Sequence, residues 1–145
     1  MMPETRKRRF GDRYDGWRLW HTQSFFSVMP HIMKRRSDSS VLFDDVVEIE
    51  ELEKYVRRLR RNENMPGFSM FHLFIAASVR MITLRPWLNR FVVGGKTYAR
   101  NRLTISMTVK RSLSKDAEEV VIKPDFEGTD TVVDVYRKIN GAIQH

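Results

Sequence analysis

FSMFHLFIAASVRMITLRPWLNRFVVGGKTYARNRLTISMTV, residues 68–109, carries the signals that set the fold class. Ser69 has a side-chain oxygen suited to an N-cap, so a helix is expected over about 70–85, and Pro86 ends it. That helix is apolar nearly all round, which predicts a central element and not a superficial one. Gly94-Gly95 then joins Phe91-Val92-Val93 to Lys96-Thr97-Tyr98, a two-residue hairpin signal, because both glycines accept the positive φ that a primed turn needs. Leu103, Ile105, Met107 and Val109 alternate with Thr104, Ser106, Thr108 and Lys110, the period of a strand that is half exposed or faces a polar channel. A helix followed by an antiparallel hairpin and a further strand reads as α+β.

Upstream, residues 41–47 (VLFDDVV) are β-branched and apolar, a strand by propensity. In residues 49–61, Ile49, Leu52, Val56 and Leu59 recur at helical spacing, with acidic residues early and basic ones late, as the helix dipole favours. Pro66-Gly67 breaks the chain. Residues 25–36 (FFSVMPHIMKRR) read as a short helix ending on Lys34-Arg35-Arg36, with Pro30 as an alternative start. Residues 1–24 show no sustained period and form an irregular arm. Its Phe10, Tyr14, Trp17 and Trp20 are expected to pin it, by burial, to the body or to a neighbouring chain. Downstream, residues 111–119 form a loop before a strand at Val120-Val121-Ile122. A last helix opens at Gly128-Thr129-Asp130-Thr131, where Thr131 and Asp134 have capping-box spacing. Its buried stripe is Val132, Val135, Tyr136, Ile139 and Ile143.

The chain has 145 residues, one domain's worth, with 41% hydrophobic and 30% charged residues, which suits a folded protein. The absence of cysteine excludes disulfides, thiolate nucleophiles and Cys-ligated metals, and fits a reducing compartment. The basic run near the N-terminus has no apolar segment behind it, so no secretory signal is read and a cytoplasmic location is expected. The net charge of +8 is concentrated at the start: residues 1–36 hold nine Lys/Arg against three Asp/Glu, and residues 37–145 hold 17 against 15. Such an arm can attract phosphates by counterion release, and an arm packed on the body accounts for it equally well. No zinc-finger, RNP-type or GXXG signature accompanies it, so nucleic acid is not expected as a partner.

Nor does the chain contain GxGxxG, a P-loop, HExxH or GxSxG. Its four histidines are His21, His31, His72 and His145, none paired with another at metal-ligand spacing. His31 and His72 read as hydrogen-bonded packing residues. Asp44-Asp45 is adjacent and therefore a poor acid–base pair, with one carboxylate partner-facing and one solvated. No residue is assigned a catalytic role, and no metal site is read.

The stretch 41–54 (VLFDDVVEIEELEK), the helix closing on Arg85-Pro86-Trp87-Leu88-Asn89, the Gly94-Gly95 hairpin, residues 103–109 and the helix over 129–139 resemble the catalytic domain of dihydrolipoyl acyltransferases, core components of 2-oxo acid dehydrogenase complexes. These share their fold with chloramphenicol acetyltransferase. The resemblance implies a chloramphenicol acetyltransferase-like mixed sheet with helices packed on one face. It divides the chain into the arm, 1–24, and the N-terminal half of an acyltransferase-like domain, 25–145, so that the fold is incomplete. It implies acyl transfer between coenzyme A, as a substrate and not a covalently bound group, and the thiol of a lipoyl arm. In the family a histidine in an H-x-x-x-D-G string is the general base and a Ser or Thr donor stabilises the oxyanion; neither string occurs here. The basic pair with which many members open the first helix aligns with Ser24-Phe25, leaving Lys34, Arg35 and Arg36 as the candidate coenzyme-binding residues.

The expected protein is thus a coenzyme A-dependent acyltransferase relative whose isolated chain is inactive. It is expected to form a trimer-like homo-oligomer and to meet a lipoyl-bearing domain or another component of the dehydrogenase complex. The alternatives are a noncatalytic module for oligomerisation or partner binding and, third, a basic nucleic-acid-binding domain.

Overall fold

Gly94 and Gly95 adopt φ of +56° and +71°, and around them Arg90–Val93 (β2) and Lys96–Arg100 (β3) close the expected hairpin. The computed structural model describes residues 7–62, 65–110 and 119–144. A third strand, Gly16–Arg18 (β1), lies along the other side of β3 in the order β1-β3-β2, with Gly16 opposite Arg100. Only glycine fits there: a Cβ at Gly16 would stand 2.7 Å from Phe91 Cε1 and 2.8 Å from the Ala99 carbonyl oxygen.

The arm is therefore not wholly irregular, and it docks on its own chain. Its anchor also differs from the one expected. Asp12 accepts from the Arg9 and Arg18 backbone N–H groups, each at 2.8 Å, and Leu19 N–H donates to the Thr97 carbonyl at 3.0 Å. The Asn101 amide donates to the Tyr14 carbonyl at 3.0 Å. Phe10, Tyr14 and Trp20 stay exposed, the last beneath the Arg18 guanidinium at 3.6 Å. Of the four aromatics expected to pin the arm, Trp17 alone is partly buried, and backbone pairing and charge supply the rest of the anchorage.

Helix α1 spans Ser24–Ile32 with Pro30 inside it. Pro30 brings no N–H to the helical ladder, and the helix ends two residues later. Lys34, Arg35 and Arg36 consequently lie beyond the helix, leading into a short 3-10 turn at Arg36–Ser39, and not on its last turn as expected. Residues 41–49 form no strand. Their propensity is high, but no described strand lies alongside to pair with them, and Val41, Leu42, Phe43 and Val46 are 84–98% exposed.

Helices α2 (Glu50–Asn62) and α3 (Met70–Leu84) follow, α3 ending in a 3-10 turn at Pro86–Asn89. Helix α3 is central on one face only. His72 and Val79 are buried, while Phe71, Phe74 and Met81 project to solvent because no described element covers that side, which corrects the expectation of burial all round. The alternation from Leu103 to Val109 survives in the burial pattern, but its ladder is interrupted at residues 105–106. Leu103–Thr104 (β4) pairs with Asp125–Phe126 (β7), and Met107–Lys110 (β5) pairs with Glu119–Ile122 (β6). The loop expected at 111–119 lies, except for Glu119, outside the described residues. Helix α4 (Val132–Gln144) starts as the sequence indicates: Asp134 accepts from Thr131 N–H at 3.0 Å and from its hydroxyl at 2.6 Å.

Among the described residues the architecture is α+β, with four α-helices and small sheets whose pairings are all antiparallel. Two apolar cores hold it together. Val79, Leu103, Ile122, Phe126, Val135 and Ile139 join α3, α4 and the short ladders. Val56, Leu59, Met65 and Phe68 seat α2 against the start of α3. The accessible surface is 11900 Å² for 17.2 kDa, where a self-contained monomer of that mass exposes about 7,800 Å². No helix among the described residues is long and apolar enough to cross a membrane.

Candidate anion-binding groove

Helix α1 lies against the tip of the β2–β3 hairpin. A Cβ at Gly95 would meet His31 Cε1 at 2.8 Å, so the glycine both makes the turn and lets the helix approach. Between helix and hairpin runs a groove of about 1720 Å³. Phe26, Met29 and Met33 form one apolar wall, and Trp87, Phe91 and Val92 form the other. Lys34, Arg35 and Arg36 edge it from the chain just beyond α1, Arg90 and Arg100 from the hairpin, and His21 and His31 also face it.

Among the described residues no Asp or Glu lines this groove. None of the five Lys/Arg side chains forms an ion pair with a carboxylate among the described residues. Arg100 stands over the Phe91 ring at 4.6 Å, and Phe91 is stacked on Tyr98 at 5.5 Å. Of the five, Arg100 also feels the nearby Asp15 carboxylate, whose pKa it helps to lower after the larger effect of Arg13; like charges gathered with so little counter-charge repel one another, and a bound polyanion relieves that repulsion while accepting charge-assisted hydrogen bonds. The aromatic walls add faces on which a planar heterocycle can stack.

The three cations selected from sequence are therefore in the groove together. Arg90, Arg100, Trp87 and Phe91 were not selected. Their signal was present in the hairpin register, which sets Arg90 beside Ala99 and so brings Arg100 to the same end of the ladder. It gains meaning only once α1 is placed against that hairpin.

His72 lies elsewhere and packs as expected. It is 7% exposed, its Nδ1 accepts from Ser69 N–H at 3.1 Å and meets the Ser69 hydroxyl at 2.9 Å, and its ring stacks on Phe68. Burial lowers its pKa from the ordinary imidazole value, the Ser69 backbone opposing in part. Asp44 and Asp45 are both exposed, Asp45 accepting from Val46 N–H at 2.9 Å.

Comparison with protein-family models, with curated proteins and with solved structures finds no match to this chain.

Proposed function

We propose that this chain is the coenzyme-binding portion of a coenzyme A-dependent acyltransferase-like assembly of the dihydrolipoyl acyltransferase type. The observation that carries the reading is the cationic groove with no acidic lining. Lys34, Arg35 and Arg36, with Arg90 and Arg100, would take the phosphates of coenzyme A, and Trp87 or Phe91 would take its adenine. The groove supplies binding and orientation. His21 and His31 face it, yet neither is hydrogen-bonded to a carboxylate among the described residues that would orient it as a general base. In this reading the isolated chain binds the coenzyme without transferring its acyl group.

Calorimetric titration of coenzyme A into the purified chain tests this. Binding is expected to weaken at least tenfold in the triple variant K34A/R35A/R36A and to fall as salt rises, since each lost charge-assisted bond to phosphate is worth about 1.5–3 kcal/mol. Binding indifferent to the triple substitution, or none at millimolar coenzyme, overturns the reading. Acetyl transfer to dihydrolipoamide that disappears in H31A would overturn the absence of catalysis.

A second property, self-association, is favoured by the uncovered surface. Among the described residues twenty-five large apolar side chains are exposed and only eleven apolar residues are buried. In our proposal a trimer-like assembly, or a lipoyl-bearing partner, covers part of that surface, and strands additional to these seven complete the larger mixed sheet.

A further inference from the structure

Residues 41–49, VLFDDVVEI, have the attributes of a strand but lie outside any ladder. Their apolar side chains Val41, Leu42, Phe43 and Val46 are almost wholly in solvent. The segment also carries Asp44, Asp45 and Glu48, three acids and no base. The groove has the opposite character: five cations and no acid, between apolar walls. One of its walls is β2, an edge strand of the β1-β3-β2 sheet, so backbone groups on its outer side have no ladder partner among the described residues.

We propose that residues 41–49 of one copy of this chain dock in the groove of a second copy, adding a strand along β2, with the exchange made reciprocally. The inference rests on charge and on the free edge, not on the coenzyme reading, although both use the groove. Three features favour a second copy as the occupant. The complementary surfaces belong to the same sequence. In its own chain the segment leaves the groove's rim through the Arg36–Ser39 turn and lies outside the groove. Reciprocal exchange also closes as a two-fold pair that satisfies both grooves and leaves the rest of the uncovered apolar surface for other contacts. A stable dimer buries about 1,200–2,000 Å² in total, which is well within the excess surface each chain exposes. Main-chain pairing to β2 would supply affinity and alternate side chains the register, as in other strand additions.

The test uses the full chain, its natural lack of cysteine, and charge reversal. Sedimentation from 1 to 100 µM should show reversible dimerisation. D44K/D45K should weaken it at least tenfold, R90E should do likewise, and the chain carrying all three changes should recover most of the loss. V46P, which removes a ladder donor, should weaken association without rescue by R90E. Circular dichroism confirms that each variant is folded; positions 44–46 are exposed and outside any ladder, so those substitutions leave the cores intact. Copies bearing V46C and V92C, mixed, should be joined by a short bis-maleimide faster than either copy alone. A monomeric wild type, association indifferent to D44K/D45K, or losses that add in the triple variant refute the exchange. A monomer that still binds coenzyme A refutes the exchange and leaves the coenzyme reading standing, whereas charge-rescued dimerisation in a chain that binds no coenzyme does the reverse.

Discussion

Replacing His72 by alanine should cost this chain a substantial part of its stability, and the size can be worked from the contacts. The ring's Nδ1 accepts the Ser69 N–H, one of the orphan donors at the start of α3, and a lost helix cap of this kind costs about 1 kcal/mol. The ring also stacks on Phe68, with centroids 5.5 Å apart, and tilts against Tyr136 at 5.1 Å; such ring pairs contribute about 0.5–1.5 kcal/mol beyond their burial. Together these give about 2–4 kcal/mol, or a fall in Tm of about 5–15 °C for a chain of this size. The assay is thermal melting followed by circular dichroism at pH 8, where the imidazole is neutral. His72→Gln should recover about the cap's share, because the Gln side-chain oxygen can accept the same N–H. Acidification gives an independent check. Burial holds the folded pKa below the ordinary 6.5, so the unfolded chain binds the extra proton first and stability falls as pH falls. The wild-type advantage over H72Q should thus be full above pH 6.5 and shrink as pH drops from there through the depressed folded value. A Tm for H72A within 1 °C of wild type, or identical pH profiles for wild type and H72Q, would refute the reasoning.

Gly95→Ala should lower stability by about 1–2 kcal/mol through its positive φ alone, with a further loss from the contact to His31 that a G95A/H31A chain regains; Gly94→Ala, with open space around it, should show only the first part in urea melts. Asp130→Asn should cost about 1.5–3 kcal/mol, because the 8% exposed carboxylate accepts Lys138 Nζ at 2.7 and 2.9 Å and the Glu127 N–H at 2.8 Å; a loss below 0.5 kcal/mol would count against that network. Gly16→Ala should pry β1 from β3, making residues 7–24 the first site of limited proteolysis while the two apolar cores keep their cooperative melt. Unchanged cleavage of the arm would contradict the placement of Gly16 against Phe91 and Ala99.

What could be read from sequence was what neighbouring residues decide among themselves. The Thr131–Asp134 cap and the Gly94-Gly95 turn each depend on partners a few positions apart, and each formed; the stripe expected over 49–61 formed as a helix, but only Val56 and Leu59 are buried while Ile49 and Leu52 stay exposed. The strand expected at 41–47 rested on propensity alone, and a strand is stable only with a partner. Three residues of β1 carry no periodicity, and their partner lies far along the chain, so no local reading could find them. The Leu103–Val109 alternation indicated which side chains face inward but not that the hydrogen-bonding partner changes at residue 105. In the groove, the Lys34–Arg36 cluster was conspicuous as a run of charge. Arg90 and Arg100, ten positions apart, became part of it only through folding.

The pairing of Gly16 with Arg100 spans 84 positions, and this orders events during synthesis. At about 5–20 residues per second, roughly 4–17 s separate the making of β1 from the making of the last residue of its partner strand. Closing a loop of that length also carries an entropic cost of about 4 kcal/mol, so the core of Val56, Leu59, Met65 and Phe68, built from nearer neighbours and complete before β3 is made, can organise first. The first strand to be made waits for a partner that appears only after α2 and α3. Until β1 arrives, the outer side of β3 stays open on every nascent chain, and adjacent ribosomes on one message can present that opening to each other's arms.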